Sequence, residues 1–154
     1  MNILVIGNGL IANMLRLENH AIIEAPGPWE ALSIIKEQGC DVELVLTEVA
    51  TEPITGLVFA NHLARLRKGI PVFFLADPSI ARALGGCLRD NGVIEKPFTA
   101  SELSKALGKF WARFKSRTEA QILHGTLTRS ALRANKPAPI RVFFGPAIRG
   151  ESRQ

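Results

Sequence analysis

The sequence predicts an α/β fold, a doubly wound parallel sheet of five strands alternating with five helices. Three observations carry the prediction. Short apolar runs alternate with helical patterns along the first 115 residues. Those runs are rich in Val, Ile, Leu and Phe and lack polar alternation, as strands buried on both faces do. The helical stretches between them begin and end in recognisable capping signals.

Each element has its own justification. The first strand covers 3–6, and Gly7-Asn8-Gly9-Leu10-Ile11-Ala12 follows it into the first helix. A second strand covers 21–24. Gly27-Pro28-Trp29-Glu30 then sets proline at a first helical position, and Gly39 falls just past that helix. The third strand, 42–47, ends at Glu48. Thr55 precedes a helix over 56–68 that stops at Gly69. A fourth strand, 71–75, leads through Ala76-Asp77 to a fourth helix over 79–89, interrupted by Gly85-Gly86. The fifth strand is Val93-Ile94. Thr99 with Glu102 three residues on forms a capping box ahead of Leu103, Leu107, Phe110 and Phe114, one stripe of the fifth helix.

Composition bounds the function. The chain has 154 residues, 47% hydrophobic and 21% charged, room for one core and some extra. No run of about 18 apolar residues is present, so no membrane span is expected. The start lacks a basic leader and cleavage site, which fits a cytoplasmic protein. Cys40 and Cys87 have no metal-type spacing and read as reduced thiols. His20, His62 and His124 are dispersed, neither G-x-S-x-G nor H-E-x-x-H occurs, and no enzyme is expected. Trp29 and Trp111 read as packing residues.

Charge divides the chain. Residues 1–115 hold 12 Lys/Arg and 12 Asp/Glu, whereas 116–154 hold seven basic residues against Glu119 and Glu151, all of the net +5. This places a boundary near 115, between a domain at 1–115 and a basic C-terminal extension at 116–154. In the extension, Ala120, Leu123, Leu127 and Ala131 read as a short amphipathic helix, broken by Lys136-Pro137-Ala138-Pro139, before the apolar run Ile140-Arg141-Val142-Phe143-Phe144. The extension is expected to be largely solvated. Phosphate-backbone binding through it is an alternative, but nucleic acid is not the expected partner.

In doubly wound sheets the ligand crevice lies at the carboxyl ends of the strands beside the switch point. That rule selects Gly7-Asn8-Gly9, Glu48, Ala76-Asp77 and Glu95-Lys96-Pro97. The stretch from Val45 to Leu57 and, more specifically, Lys96-Pro97-Phe98 before a capped last helix resemble response-regulator receiver domains of two-component signalling, with the flavodoxin-like (βα)5 fold. The resemblance covers about residues 2–110. It places Glu48 at the phosphoacceptor aspartate and Gly7 and Asn8 at the two acids that help hold Mg²⁺. Ala76 and Val93 stand where the switch hydroxyl and switch aromatic belong, and Lys96 is the retained pocket lysine.

The resemblance therefore implies a degenerate receiver with no metal, no cofactor and no phosphorylation at the usual site. It would work through a protein partner in a bacterial signalling pathway, with homodimer formation possible through the face of the fourth helix, fifth strand and fifth helix. An ion pair between Glu48 and Lys96, from the ends of adjacent strands, is expected. Asp77 reads as the start of the next helix. The competing reading takes Gly7-Asn8-Gly9-Leu10-Ile11-Ala12 as a G-x-G-x-x-A nucleotide loop, with Glu24 at the ribose position.

Overall fold

The central strands are buried on both faces, which is why their sequences never alternate with polar residues. A computed structural model describes residues 1–38, 42–84, 88 and 91–125. Its strands are β1 (Asn2–Ile6), β2 (Ala21–Ala25), β3 (Leu44–Glu48), β4 (Val72–Ala76) and β5 (Gly92–Glu95). Between and after them lie α1 (Gly9–Leu17), α2 (Pro28–Gln38), α3 (Gly56–Leu66), α4 (Pro78–Leu84) and α5 (Ala100–Gly125). All pairings are parallel and the order is β2-β1-β3-β4-β5, the flavodoxin-like order.

Successive residues of one strand serve opposite layers. Ile3, Val5, Leu44, Leu46, Phe73 and Leu75 pack with Ile11 and Leu15 of α1 and Leu103, Leu107 and Phe110 of α5. Leu4, Ile6, Val45, Val72 and Phe74 pack with Ala31 and Ile35 of α2 and Phe59 and Leu63 of α3. Truncating a fully buried member such as Phe59 to Ala removes about 3–5 kcal/mol.

The helix ends largely follow their signals. Pro28 opens α2, and Gly39 and both cysteines lie outside the described residues. Thr55 caps α3 by accepting from the Val58 N–H at 3.3 Å. Thr99 and Glu102 form the reciprocal capping box. The Thr99 N–H donates to Glu102 Oε2 at 2.7 Å, and the Glu102 N–H to Thr99 Oγ1 at 3.2 Å.

One helix differs from expectation, and the outer part of another lies outside the described residues. The described part of α4 ends at Leu84, and Gly85-Gly86 lie outside the described residues. Helix α5 passes through Lys115 without a break and takes in Ala120 and Leu123, so these belong to it and not to a separate helix. Leu127, Ala131 and the rest of 126–154 lie outside the described residues. At about 1.5 Å per residue, the 26 residues of α5 measure about 39 Å, against about 17 Å for a five-residue strand. The last turns therefore overrun the sheet, and residues 115–124 are all exposed. Among the described residues, no helix is long and apolar enough to cross a membrane.

Candidate functional site

The strand order reverses between β1 and β3, and the sheet's crevice opens above their carboxyl ends. β1 leaves the sheet at Gly7, whose φ of +69° is costly for any residue with a Cβ. Asn8 follows and caps α1, its Oδ1 accepting from the Ile11 N–H at 3.2 Å. The other end of the same amide donates from Nδ2 to Glu48 Oε1 at 3.0 Å. Flipping the amide would set its oxygen against a carboxylate and its NH₂ against a helix N–H. Both contacts therefore fix one orientation.

Glu48 ends β3, in register with Leu75. Its second oxygen, Oε2, accepts from Lys96 Nζ at 2.9 Å. The carboxylate is thus held on both sides, by a cation and by an amide. Gly56 fits closely beneath: a Cβ there would collide with the Glu48 carbonyl oxygen, and its N–H donates to Val49 O at 2.9 Å. Helix α3 can begin this near β3 only because residue 56 has no side chain.

Lys96 does not come from a strand adjacent to β3, contrary to expectation. β4 lies between β3 and β5, so the lysine side chain crosses the end of β4. Ala76 sits at that end, buried, in register with Glu95, and its carbonyl accepts from the Lys96 N–H at 2.9 Å. Its methyl group leaves the lysine a clear path. The Lys96–Pro97 peptide bond is cis. Val93 is partly buried against the α2/α3 layer.

Side-chain exposures of 34% for Lys96 and 28% for Glu48 leave the pair in contact with water. Such a pair adds about 0.2–1 kcal/mol, so its consequence lies in charge placement more than in stability. A cavity of about 260 Å³ adjoins it, walled by Gly7, Pro26, Gly27, Glu48, Thr51 and Glu52. Sequence reasoning passed over Glu52 and the Asn8–Glu48 hydrogen bond. The first could have been found from its place in the loop after β3. The second depends on a rotamer.

The residues at the crevice do not fit a Mg²⁺ ion. Mg²⁺ takes near-octahedral oxygen ligands, usually including one or two carboxylates with free lone pairs. Gly7 offers no side chain, the Asn8 oxygen faces the Ile11 N–H, and Glu48, each of whose oxygens already accepts one hydrogen bond, is the single carboxylate supplied by the ends of β1 and β3. Among the described residues, no three His, Cys, Asp or Glu side chains come together. Asp77 is exposed, and its carbonyl takes the first helical bond of α4 from the Ala81 N–H at 2.8 Å, as a helix start does.

The nucleotide reading meets specific obstacles. Glu24, the proposed ribose acid, lies beside Gly9 and lines a cavity with Gly7, Asn8 and Gly9, but its carboxylate is paired with Arg16 at 2.5 Å. The first turn of α1 is served by Asn8, which occupies a donor that a phosphate would need. Elsewhere, His20 Nε2 lies 3.3 Å from Ser104 Oγ, and the His62 ring lies against Trp29 at 5.5 Å. Trp111 stacks on Phe114 at 5.7 Å, beneath Lys115.

No protein-family profile matches the chain, and no curated protein sequence does. Solved structures do. A response-regulator receiver domain protein from Clostridium thermocellum superposes with a TM-score of 0.63 at 21% identity, covering 74% of this chain and 96% of that one. A response-regulator receiver protein from Sinorhizobium medicae gives 0.60 at 16% identity, covering 73% and 94%. NtrX from Brucella abortus, in a complex with ATP, gives 0.66 at 21% identity, over 79% of this chain but only 29% of NtrX. Together with the strand order, these likenesses show that the chain carries the (βα)5 fold of response-regulator receiver domains.

Proposed function

We propose that this protein is a degenerate receiver, a regulatory module that acts by protein–protein contact and takes no phosphate at the usual position. One observation carries the reading: both Glu48 oxygens are already engaged, Oε1 by Asn8 and Oε2 by Lys96. Phosphoryl transfer to a carboxylate depends on positioning and on charge neutralisation by metal and lysine. Here the lysine neutralises the resident carboxylate, and Gly7 and Asn8 bring no further anionic oxygen. Ala76 and Val93 likewise offer neither hydroxyl nor aromatic ring to relay a charge change toward β5. The partner surface in this reading is the face of α4, β5 and α5, which also serves any homodimer.

Incubation with acetyl phosphate and Mg²⁺, followed by intact-mass measurement, tests this. The expected mass is unchanged. A Mg²⁺-dependent phosphoryl adduct mapped to Glu48 or Asp77 contradicts the reading.

A further inference from the structure

The outer edge of β2 carries backbone groups that the sheet itself does not use. β2 pairs with β1 in parallel, with Asn2 beside Ala21 and Ile6 beside Ala25. The Ala21 N–H donates to Met1 O at 3.1 Å, and the Gly7 N–H donates to Ala25 O at 2.8 Å. In a parallel ladder alternate residues of one strand serve the same neighbour, so Ala21, Ile23 and Ala25 face β1. Ile22 and Glu24 therefore direct their N–H and C=O groups outward, where β2 ends the strand order. Among the described residues, none takes up these two donors and two acceptors. Proteins guard such an edge with lysine, proline or a bulge, and Ala21-Ile22-Ile23-Glu24-Ala25 contains none of them. Its single charge, Glu24, is already paired with Arg16.

We infer that this edge pairs, antiparallel, with the same edge of a second copy, joining two five-stranded sheets into one. The outward groups are symmetric about Ile23, so a two-fold axis there sets Ile22 opposite the second copy's Glu24. Each such pair exchanges two hydrogen bonds, and the four bonds of the junction use every outward donor and acceptor. Ile23 meets its own counterpart at the axis, where the strands come closest and a β-branched pair adds to the contact. Ala21 falls opposite Ala25 at each rim, and both are too small to hold the copies apart. Charge also suits a second copy. Each brings one carboxylate and one guanidinium already paired, with side chains 43% and 44% exposed, so the junction gathers no net charge. The contact closes on itself and leaves no β2 edge for further addition. β5 forms the opposite edge of the sheet, so a homodimer at β2 leaves the face of α4, β5 and α5 to the protein partner. The pairing depends on β2 alone and stands or falls separately from the Glu48 pocket.

The test uses the full chain. Sedimentation velocity between about 20 and 500 μM protein is expected to show a monomer–dimer equilibrium, since so small a junction binds weakly. Amide hydrogen exchange at both ends of that range reads the edge itself. The Ile22 and Glu24 amides should slow at least about fivefold at the higher concentration, whereas those of Ile23 and Ala25, already bonded to β1, should hardly change. Glu24→Pro removes an outward N–H and spares every bond to β1. It should weaken association at least about tenfold, because the axis doubles the loss to two of the four bonds. Glu24→Ala keeps the N–H and should stay within about threefold of the unmodified chain. If Glu24→Pro does not fold, as judged by circular dichroism, the exchange measurement on the unmodified chain decides alone. A monomer throughout the range overturns the inference. So does a dimer in which the Ile22 and Glu24 amides exchange as fast as in the monomer, or one that Glu24→Pro leaves intact, since either places the contact on another face. Protection of those amides by an added protein, and never by concentration, also overturns it, in favour of a foreign strand.

Discussion

Asn8 joins two structural tasks in one side chain, the cap of α1 and the hydrogen bond to Glu48. Asn8→Ala should therefore lower stability by about 0.5–2 kcal/mol, read as a reduced urea midpoint with unchanged slope. An unchanged midpoint would show that neither contact matters. Gly7 limits any attempt to rebuild a metal site. At φ +69°, an introduced Asp would be strained before it met a metal, so Gly7→Asp should destabilise by more than Asn8→Asp. His20 offers a separate, pH-dependent readout. Burial, then the nearby amino terminus, holds its imidazole below its ordinary range, against an opposing pull from Glu18. The unfolded chain then takes up a proton more readily than the folded one. Stability is full at neutral pH, falls as pH drops through about 6.5, and levels off below the folded value. His20→Gln should flatten the dependence of the urea midpoint between pH 7 and 5, and an unaltered profile would assign it to other groups.

The elements divide by how locally they are encoded. The capping box of α5 was legible because Thr99 and Glu102 need only each other. Its hydrogen bonds from the Thr99 N–H and hydroxyl hold the Glu102 carboxyl below its ordinary range. The box therefore contributes above the ordinary carboxylate range and is lost as pH falls through the lowered value. Thr99→Ala should remove that acid-sensitive part, seen as faster hydrogen exchange in the first turn of α5. The end of α5 was not legible in the same way. Composition changes sign near residue 115, but a change in net charge does not end a helix, and beyond Gly108, which α5 accommodates, no Gly or Pro occurs until Gly125. Likewise the lateral order of strands is invisible along a chain. Glu48 and Lys96 were correctly placed at carboxyl ends, while the intervening β4 emerged only from pairing. Helix α4 is described over seven residues and carries one buried side chain, Ala81. It should be the least protected helix of the body in native-state hydrogen exchange, and protection equal to that of α1 would contradict this.

At the scale of the molecule, the sheet separates two chemically different ends. The carboxyl end holds Glu48 with its two internal partners, and at the amino end, among the described residues, Arg67, Lys68, Lys109, Arg113 and Arg117 line two neighbouring depressions. The fold was legible because burial on both faces imposes apolar runs on the central strands β1, β3 and β4. That Gly7, Asn8, Glu48, Ala76 and Lys96 come from strand ends follows from the parallel order, but only the geometry shows that Asn8 and Lys96 each donate to one oxygen of Glu48. The central claim is that this engagement closes the pocket to phosphate. Amide NMR spectra recorded with and without beryllofluoride and Mg²⁺ test it most directly. Unshifted resonances at Gly7, Asn8, Glu48, Ala76 and Lys96 are predicted, whereas saturable, Mg²⁺-dependent shifts centred on Glu48 and spreading to β5 would contradict it.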